Sequence, residues 1–313
     1  MSAQSGSVLF DAPGPRARSR YRVIAIIGAI LVALFVVFVL YQLGTHGNLE
    51  AEKWTPFLTA EIWQYYLIPG LLNTLKAAAI SIVLAGIFGL VFGMGRLSQI
   101  AAIRWFCTVV VEFFRSVPVL VMMIAAFSYF SYNNIFVSDL NPLAAVVTGL
   151  TLYNGSVVAE LLRSGVGSLP KGQSEAGLSI GLTPGQTLRT IQLPQAITAM
   201  LPALVGQLVV VLKDTALGQI ITYPELLNTY QQIGSYKSNP VPAIIVIAII
   251  FILINYSLTT VAARVEGRLR RRGRSTLGAG GAGSALIVAD PELTEADQPG
   301  EDLGDFSEAR RGK

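Results

Sequence analysis

Six apolar runs, each close to the length of a bilayer-crossing helix, dominate this chain of 313 residues. A transmembrane helix needs roughly 20 mostly apolar residues, because the hydrocarbon offers its backbone no hydrogen-bond partners. The runs therefore predict an all-α integral membrane protein with six transmembrane helices. They cover Val23–Leu43, Leu71–Gly95, Phe113–Tyr132, Pro142–Leu162, Ile197–Leu212 and Val241–Ala263.

Composition agrees with a membrane protein and excludes several kinds of chemistry. Charged residues make up 13% of the chain, against about 25% in soluble domains. Cys107 and His46 are single, so the chain has no internal disulfide and no obvious metal site. It carries no G-x-x-x-x-G-K-[ST] phosphate loop. We expect no catalytic residue, no metal, no cofactor bound by this chain and no nucleic-acid partner.

Basic residues concentrate in alternate connections, and this pattern orients the helices. Arginines before the first run, and arginines and lysines after the second, fourth and sixth, predict that both termini lie in the cytoplasm. The other connections are poorer in basic residues, with Lys53 in one and Lys213 and Lys237 in another. The predicted parts are a cytoplasmic N-terminal segment (1–22), an anchor helix (23–43), an extracytoplasmic loop (44–70), a transmembrane core (71–265) with a cytoplasmic loop (164–195), and a disordered acidic cytoplasmic tail (266–313).

The cytoplasmic loop 164–195 has a pattern typical of two short helices joined by a tight turn. Gly181 fits the end of the first helix, where a left-handed conformation is common. The run Thr183–Gln186 starts the second helix with a capping box and a proline at the first helical position. Pro194 either closes this helix or opens the next span. From these residues alone the loop is a docking element or an ordinary helical connector.

The spacing inside this loop resembles the EAA loop of ABC-importer permeases, written EAA-x3-G-x9-I-x-LP. This chain has glycine at the third position, where the family usually has alanine. The resemblance implies that the loop docks on a separate ATPase subunit, which would bind ATP and magnesium. The matching residues are Glu175, Ala176, Gly177, Gly181, Ile191, Leu193 and Pro194.

The opening stretch Val8–Arg16 is similar to the second permease of glutamate importers. Further segments are similar to permeases for polar amino acids. They are Glu112–Pro118, Ala159–Gly165 with Leu169–Gln173, and Lys213–Leu217 with Pro224–Leu227. The resemblance implies a five-span type I importer core preceded by an anchor helix in a prokaryotic cell membrane. It also implies three partners: an ATPase subunit, a second permease subunit of a homologous chain, and an extracytoplasmic amino-acid-binding protein.

Charged and polar residues within the runs suggest two further kinds of site. Glu112 and Arg115, and likewise Glu160 and Arg163, are spaced to pair on one helix face. Each pair is a gate, an intersubunit contact or an interfacial charge pair. Asn154, Gln207 and Asn255 either line the substrate path or form hydrogen bonds between helices.

The predicted function is therefore ATP-driven import of a polar amino acid through this permease subunit. Glutamate is the leading substrate, with glutamine, aspartate and arginine open. The alternative is an ATP-independent secondary transporter or channel subunit. A membrane-anchored scaffold or enzyme is the remaining hypothesis, and the sequence supplies no catalytic constellation for it.

Overall fold

The computed structural model describes residues 14–281, and within them every regular element is helical. The all-α prediction is confirmed, while the expectations for residues 1–13 and 282–313 lie outside the described residues. The helices are α1 (Pro15–Thr45), α2 (Ala51–Trp54), α3 (Ala60–Ile62), α4 (Ile68–Arg96), α5 (Ala101–Ser116), α6 (Val119–Tyr132), α7 (Asn141–Gly167), α8 (Lys171–Ser179), α9 (Pro184–Thr187), α10 (Leu193–Asp214), α11 (Thr229–Lys237) and α12 (Pro240–Gly281).

Five helical segments of the described chain are long and apolar enough to cross a membrane, and a bent pair makes up to six. The bent pair is α5 with α6, which meet at 98°. The continuous third span predicted over Phe113–Tyr132 is therefore wrong. Val117 adopts an extended conformation (φ −85°, ψ 128°), because the ring of Pro118 disfavours helical geometry in the residue before it.

Helices α4 and α7 form the packed centre of the bundle through small residues. A Cβ built at Gly89 would lie 2.4 Å from Cγ1 of Val158, and one at Gly93 would lie 2.8 Å from Cδ2 of Leu162. From the other side, a Cβ at Gly155 would lie 2.7 Å from Cδ1 of Phe88. Glycine at these positions lets two transmembrane backbones approach closely.

Helix α1 differs from this centre, because no residue of its apolar window is buried by the rest of the described chain. Side chains all around it are exposed and apolar, including Ile24, Phe35 and Val37. A helix that is apolar on every face suits a lipid environment. This agrees with the predicted anchor, although α1 begins at Pro15 rather than at residue 23.

The fifth span is longer than its apolar run predicted. A π-helical turn, Leu188–Gln192, joins α9 to α10, so the helical path runs from Pro184 to Ile221. Pro194 lies in the first turn of α10, so of the two predicted alternatives it opens the next span and does not close the short helix. The wider turn accommodates a residue that has no N–H to donate.

The last helix extends past the point where a disordered tail was predicted. Helix α12 continues to Gly281, while the tail was expected from residue 266.

Before α12, the segment from Tyr223 to Thr229 packs on the start of α4. Asn73 donates to the carbonyl of Pro224 at 2.9 Å, and the N–H of Leu226 donates to Oγ1 of Thr74 at 3.0 Å.

Candidate functional site

The predicted two-helix loop is present as α8, a turn and α9, and we name residues 171–192 the hairpin. Gly181 has φ +86° in the turn, a conformation that side chains with a Cβ rarely adopt. Thr183 and Gln186 form the predicted capping box, with each side chain bonded to the backbone N–H of the other residue. The local structure predicted for the hairpin is confirmed.

The hairpin separates the motif residues into an exposed set and a packed set. Glu175, Ala176 and Gly181 are exposed. Gly177 is buried, because a Cβ there would lie 2.6 Å from Cγ2 of Thr187. Ile180, a large apolar residue, is 75% exposed at the tip. The hairpin therefore exposes Glu175, Ala176 and the large apolar Ile180. Gly177, which has no side chain, lets the two helices of the hairpin pack closely.

A cavity of ≈ 300 Å³ lies beneath the hairpin. Pro184, Leu188 and Arg189 of the hairpin line one side, and Gly95 and Ile103 line the other. These last two residues belong to the end of α4 and the beginning of α5. The hairpin thus lies against the connection between two core helices, at what we call the hairpin end of the bundle.

The two predicted charge pairs lie together near this end, in one cluster with a fifth residue. Arg96 of α4 has a side chain that is only 5% exposed. Its Nη2 lies 3.0 Å from Oε1 of Glu112, and its Nη1 lies 2.7 Å from Oε2 of Glu160, the second contact not being aligned as a hydrogen bond. Nη1 of Arg115 lies 3.3 Å from each carboxylate. We name this set the arginine cluster: Arg96, Glu112, Arg115, Glu160 and Arg163.

Glu160 is the centre of the arginine cluster, since it contacts Arg96, Arg115 and Arg163. The sequence predicted only the two pairs within α5 and within α7. It missed Arg96, which counted as a topology signal because it ends an apolar run. The pattern gave no indication that this arginine turns inward.

Two of the predicted path residues bond to each other instead of facing an open route. Nε2 of Gln207 in α10 donates to Oδ1 of Asn154 in α7, and Nδ2 of Asn154 donates to the carbonyl of Leu150 at 2.9 Å. Both line an almost wholly apolar cavity of ≈ 270 Å³. This arrangement favours the interhelical hydrogen bond over the substrate path for these two residues.

Asn255 lies elsewhere, in a second groove of ≈ 530 Å³ that also contains Lys213. Ala248 and Asn255 of α12 line this groove, about 12 and 22 Å along the helix from Pro240 at 1.5 Å per residue. Lys213 lies in the last turn of α10, within the candidate span Pro184–Ile221, and not in an outer loop, as its position in the sequence suggested. Asn255 has an enclosed Oδ1 without a hydrogen-bond partner in the described chain.

Lys213 is exposed in the last turn of α10 and has neither a salt bridge nor a hydrogen bond within residues 14–281. Ionisable side chains in transmembrane helices are costly, and those present usually face a pathway or a partner. The apolar lining of the groove, which includes Ile244, Phe251 and Ile252, offers no counter-charge.

Comparisons with known proteins agree with this architecture. Residues 85–271 match the family described as "Binding-protein-dependent transport system inner membrane component". The chain is 49% identical over 229 residues to "Glutamate transport system permease protein GluD" of Corynebacterium glutamicum, which covers 73% of this chain and 84% of that protein. It is 37% identical over 206 residues to "Probable glutamine ABC transporter permease protein GlnP" of Bacillus subtilis, covering 65% and 93%. The solved structure "Crystal structure of an amino acid ABC transporter with histidines" matches with 26% identity and a TM-score of 0.62, covering 68% and 98%.

The class of protein defined by these spans and this hairpin is an integral membrane permease. The chain belongs to the inner membrane component family of binding-protein-dependent transport systems. The prediction of an amino-acid ABC-importer permease is confirmed. Such a permease is the membrane component and not the enzyme, because ATP hydrolysis takes place on a partner ATPase.

Proposed function

We propose that this chain conducts L-glutamate, or a closely related polar amino acid, inward across the membrane in an ATP-driven cycle. The observation that carries the proposal is the 49% identity to a glutamate transport permease over 73% of the chain. In this arrangement the hairpin end and both termini face the cytoplasm. A binding protein delivers the amino acid at the opposite face.

The hairpin is the proposed contact with the ATPase subunit, which binds ATP and magnesium. Its exposed residues Glu175, Ala176 and Ile180 form a surface on which another protein can dock. Ile191 packs inside, where its Cδ1 would lie 3.1 Å from a Cβ at Gly177. Leu193 and Pro194 lie at the start of α10, so displacement of the hairpin would pull directly on the fifth span.

Lys213 is the proposed partner of a substrate carboxylate. An ammonium on the lining of a groove whose other lining residues are uncharged attracts an anionic group. Glutamate carries two carboxylates, and Asn255 offers an amide in the same groove. The groove is open along one side. A second permease subunit would cover that side and complete the route.

The test is uptake of labelled glutamate by cells that lack this chain and are complemented with the native sequence or with Ala176→Arg. Ala176 is exposed on α8, so a bulky charge there obstructs docking without entering the hairpin core. Gly167→Arg is the matched control: it lies outside the motif near the same end, and its Cβ position is open. Unlabelled glutamine, aspartate and arginine serve as competitors.

We expect uptake with the native chain and with Gly167→Arg, and loss of uptake with Ala176→Arg at equal membrane levels. Full uptake by Ala176→Arg would contradict the docking role of the hairpin. Failure of the native chain to restore glutamate uptake, with uptake of another amino acid restored, would reassign the substrate and leave the permease function intact.

A further inference from the structure

Helix α5 is attached to the bundle differently from the other core helices. Only two of its residues, Cys107 and Val111, are buried. Its neighbour α6 is fixed to α7 by close packing, since a Cβ at Gly149 would lie 2.6 Å from Cγ of Met123. The specific link between α5 and α7 is instead the arginine cluster. Charge therefore adds to the apolar packing of α5 on α4, where Phe114 also meets Phe88 edge to face.

The two ends of α5 have distinct neighbours. Near its beginning, Ile103 lines the cavity beneath the hairpin together with Leu188 and Arg189. Near its end, Glu112 and Arg115 join the arginine cluster. The distance between these ends is about 14 Å along the helix. One helix thus connects the hairpin to the cluster.

Beyond the cluster, α5 ends at a break that can act as a hinge. Val117 and Pro118 are both extended, with ψ 128° and 133°. Helices α5 and α6 meet there at 98°. Hinges are short non-helical positions at the ends of elements that absorb a change of backbone angle. Rotation at these two residues would move α5 and leave α6 in place.

We propose that α5 is a hinged arm, and that Arg96 is the positioning residue that holds it against α4 and α7 in the resting state. This proposal rests on the proposed function, because the hairpin drives the arm. When the ATPase displaces the hairpin, the hairpin moves the beginning of α5 near Ile103. The ion pairs of Arg96 with Glu112 and Glu160 then break. The cluster re-forms when the hairpin returns.

The chain contains its own reporter of this motion. Cys107 is the only cysteine of the sequence, and it is buried on the inner side of α5. A Cβ built at Gly95 would lie 2.3 Å from its Sγ, so α4 covers the thiol closely. Movement of α5 away from α4 would expose this sulfur to a small maleimide.

The experiment measures the rate at which N-ethylmaleimide labels Cys107 in the complete transporter in membrane vesicles. The variants are Arg96→Gln and, as the matched control, Arg104→Gln. Arg104 is an exposed arginine of α5 whose Nη1 bonds to the carbonyl of Ser98 and takes no part in the arginine cluster. Glu112→Gln is a second variant, because its side chain is half exposed and its loss leaves Arg96 paired with Glu160.

We expect slow labelling of the native chain without nucleotide, and labelling about tenfold faster in Arg96→Gln because the held state loses its bridging cation. Arg104→Gln should match the native rate, and Glu112→Gln should fall between. ATP bound to a hydrolysis-deficient ATPase subunit should accelerate labelling of the native chain. These rates require no knowledge of the substrate, so a wrong assignment of glutamate would not affect them.

Equal labelling of the native chain and Arg96→Gln, with Glu112→Gln also unchanged, would overturn the role of Arg96. Faster labelling in Arg96→Gln without any response of the native chain to ATP would overturn the drive from the hairpin. Acceleration by Arg104→Gln to the same extent as by Arg96→Gln would show general loosening of α5 and would also overturn the proposal.

Discussion

The arginine cluster and Lys213 are two solutions to the same problem, an ionisable side chain within a membrane protein. In the cluster, Arg96 and Glu160 each meet several opposite charges. Lys213, exposed in the last turn of α10, has neither a hydrogen bond nor an ion pair within residues 14–281. A charge that the protein pairs contributes to structure. A charge that has no ion pair within the protein is available to bind an anionic substrate.

Desolvation explains why the difference is informative. Removing a charge from water costs several kcal/mol, and only good partners offset this cost. Arg96 recovers the cost from Glu112 and Glu160 within the fold. Lys213 is exposed and makes no ion pair within residues 14–281, so its charge remains available to an anion in the groove. The comparison therefore predicts opposite consequences when each charge is removed.

The largest effect is expected for Glu160→Gln. This change leaves three guanidinium groups without their shared carboxylate, so we expect the free energy of unfolding to fall by about 3 kcal/mol. Thermal unfolding of the purified protein in detergent measures this. Glu112→Gln, at the more exposed carboxylate, should cost clearly less. Equal losses for the two variants would mean that Glu160 is not the centre of the cluster.

The next effect is expected for Lys213→Met, and it concerns transport instead of stability. Substrate uptake should fall by roughly a hundredfold, equivalent to about 2.7 kcal/mol. The unfolding temperature should stay nearly the same, since this exposed cation makes no ion pair within residues 14–281. Arg96→Met provides the contrasting case and should lower it. A clearly lower unfolding temperature of Lys213→Met would show that Lys213 stabilises the fold as the arginine cluster does. It would contradict the proposed difference between the two.

A smaller effect is expected at Glu225, which lies between the candidate spans. This buried carboxyl avoids carrying a charge by staying protonated. Burial raises the pKa of this carboxyl from 4.5 to about 7, outweighing the backbone N–H groups of Leu227 and Asn228 that bond to it at 2.7 Å. The folded state therefore holds its proton to higher pH than the unfolded state. Stability should fall as pH rises from about 4.5 to about 7, by roughly 2 kcal/mol.

Unfolding temperatures of the native chain at pH 5 and pH 8, compared with those of Glu225→Gln, measure this dependence. The variant cannot ionise at this position, so its curve should lose this part of the pH dependence. Identical slopes for both proteins would show that Glu225 does not titrate in this range.

The smallest effect is expected for Arg163→Gln at the edge of the arginine cluster. Its side chain is 48% exposed, and exposed ion pairs contribute roughly 0 to 1 kcal/mol. The unfolding temperature should change little, and less at high salt than at low salt. A loss as large as that of Glu160→Gln would extend the structural part of the cluster to this exposed arginine.

Much of the hairpin could be predicted from the sequence, because its signals are local. The left-handed Gly181 and the capping box of Thr183 with Gln186 depend on residues a few positions apart. The spans followed from long apolar runs for the same reason. The break at Val117 was missed even though Pro118 was visible, because the apolar run continued across it.

Partners across helices could not be predicted. Arg96, Glu112 and Glu160 are far apart in sequence, and the spacing rule found only the pairs within one helix. Lys213 was counted as an outer-loop residue because it follows an apolar run. Its place beside residues of α12 in one groove depends on how these helices are arranged in space.

The sequence alone determined which stretches become helices, which of them suit lipid, and where the hairpin turns. These properties follow from backbone hydrogen bonding and apolar transfer, both of which act within one segment. The tertiary structure decided which charges neutralise one another and which cations stay without an ion pair within residues 14–281. Electrostatic energy depends on distances in space, and only the packed bundle fixes those distances.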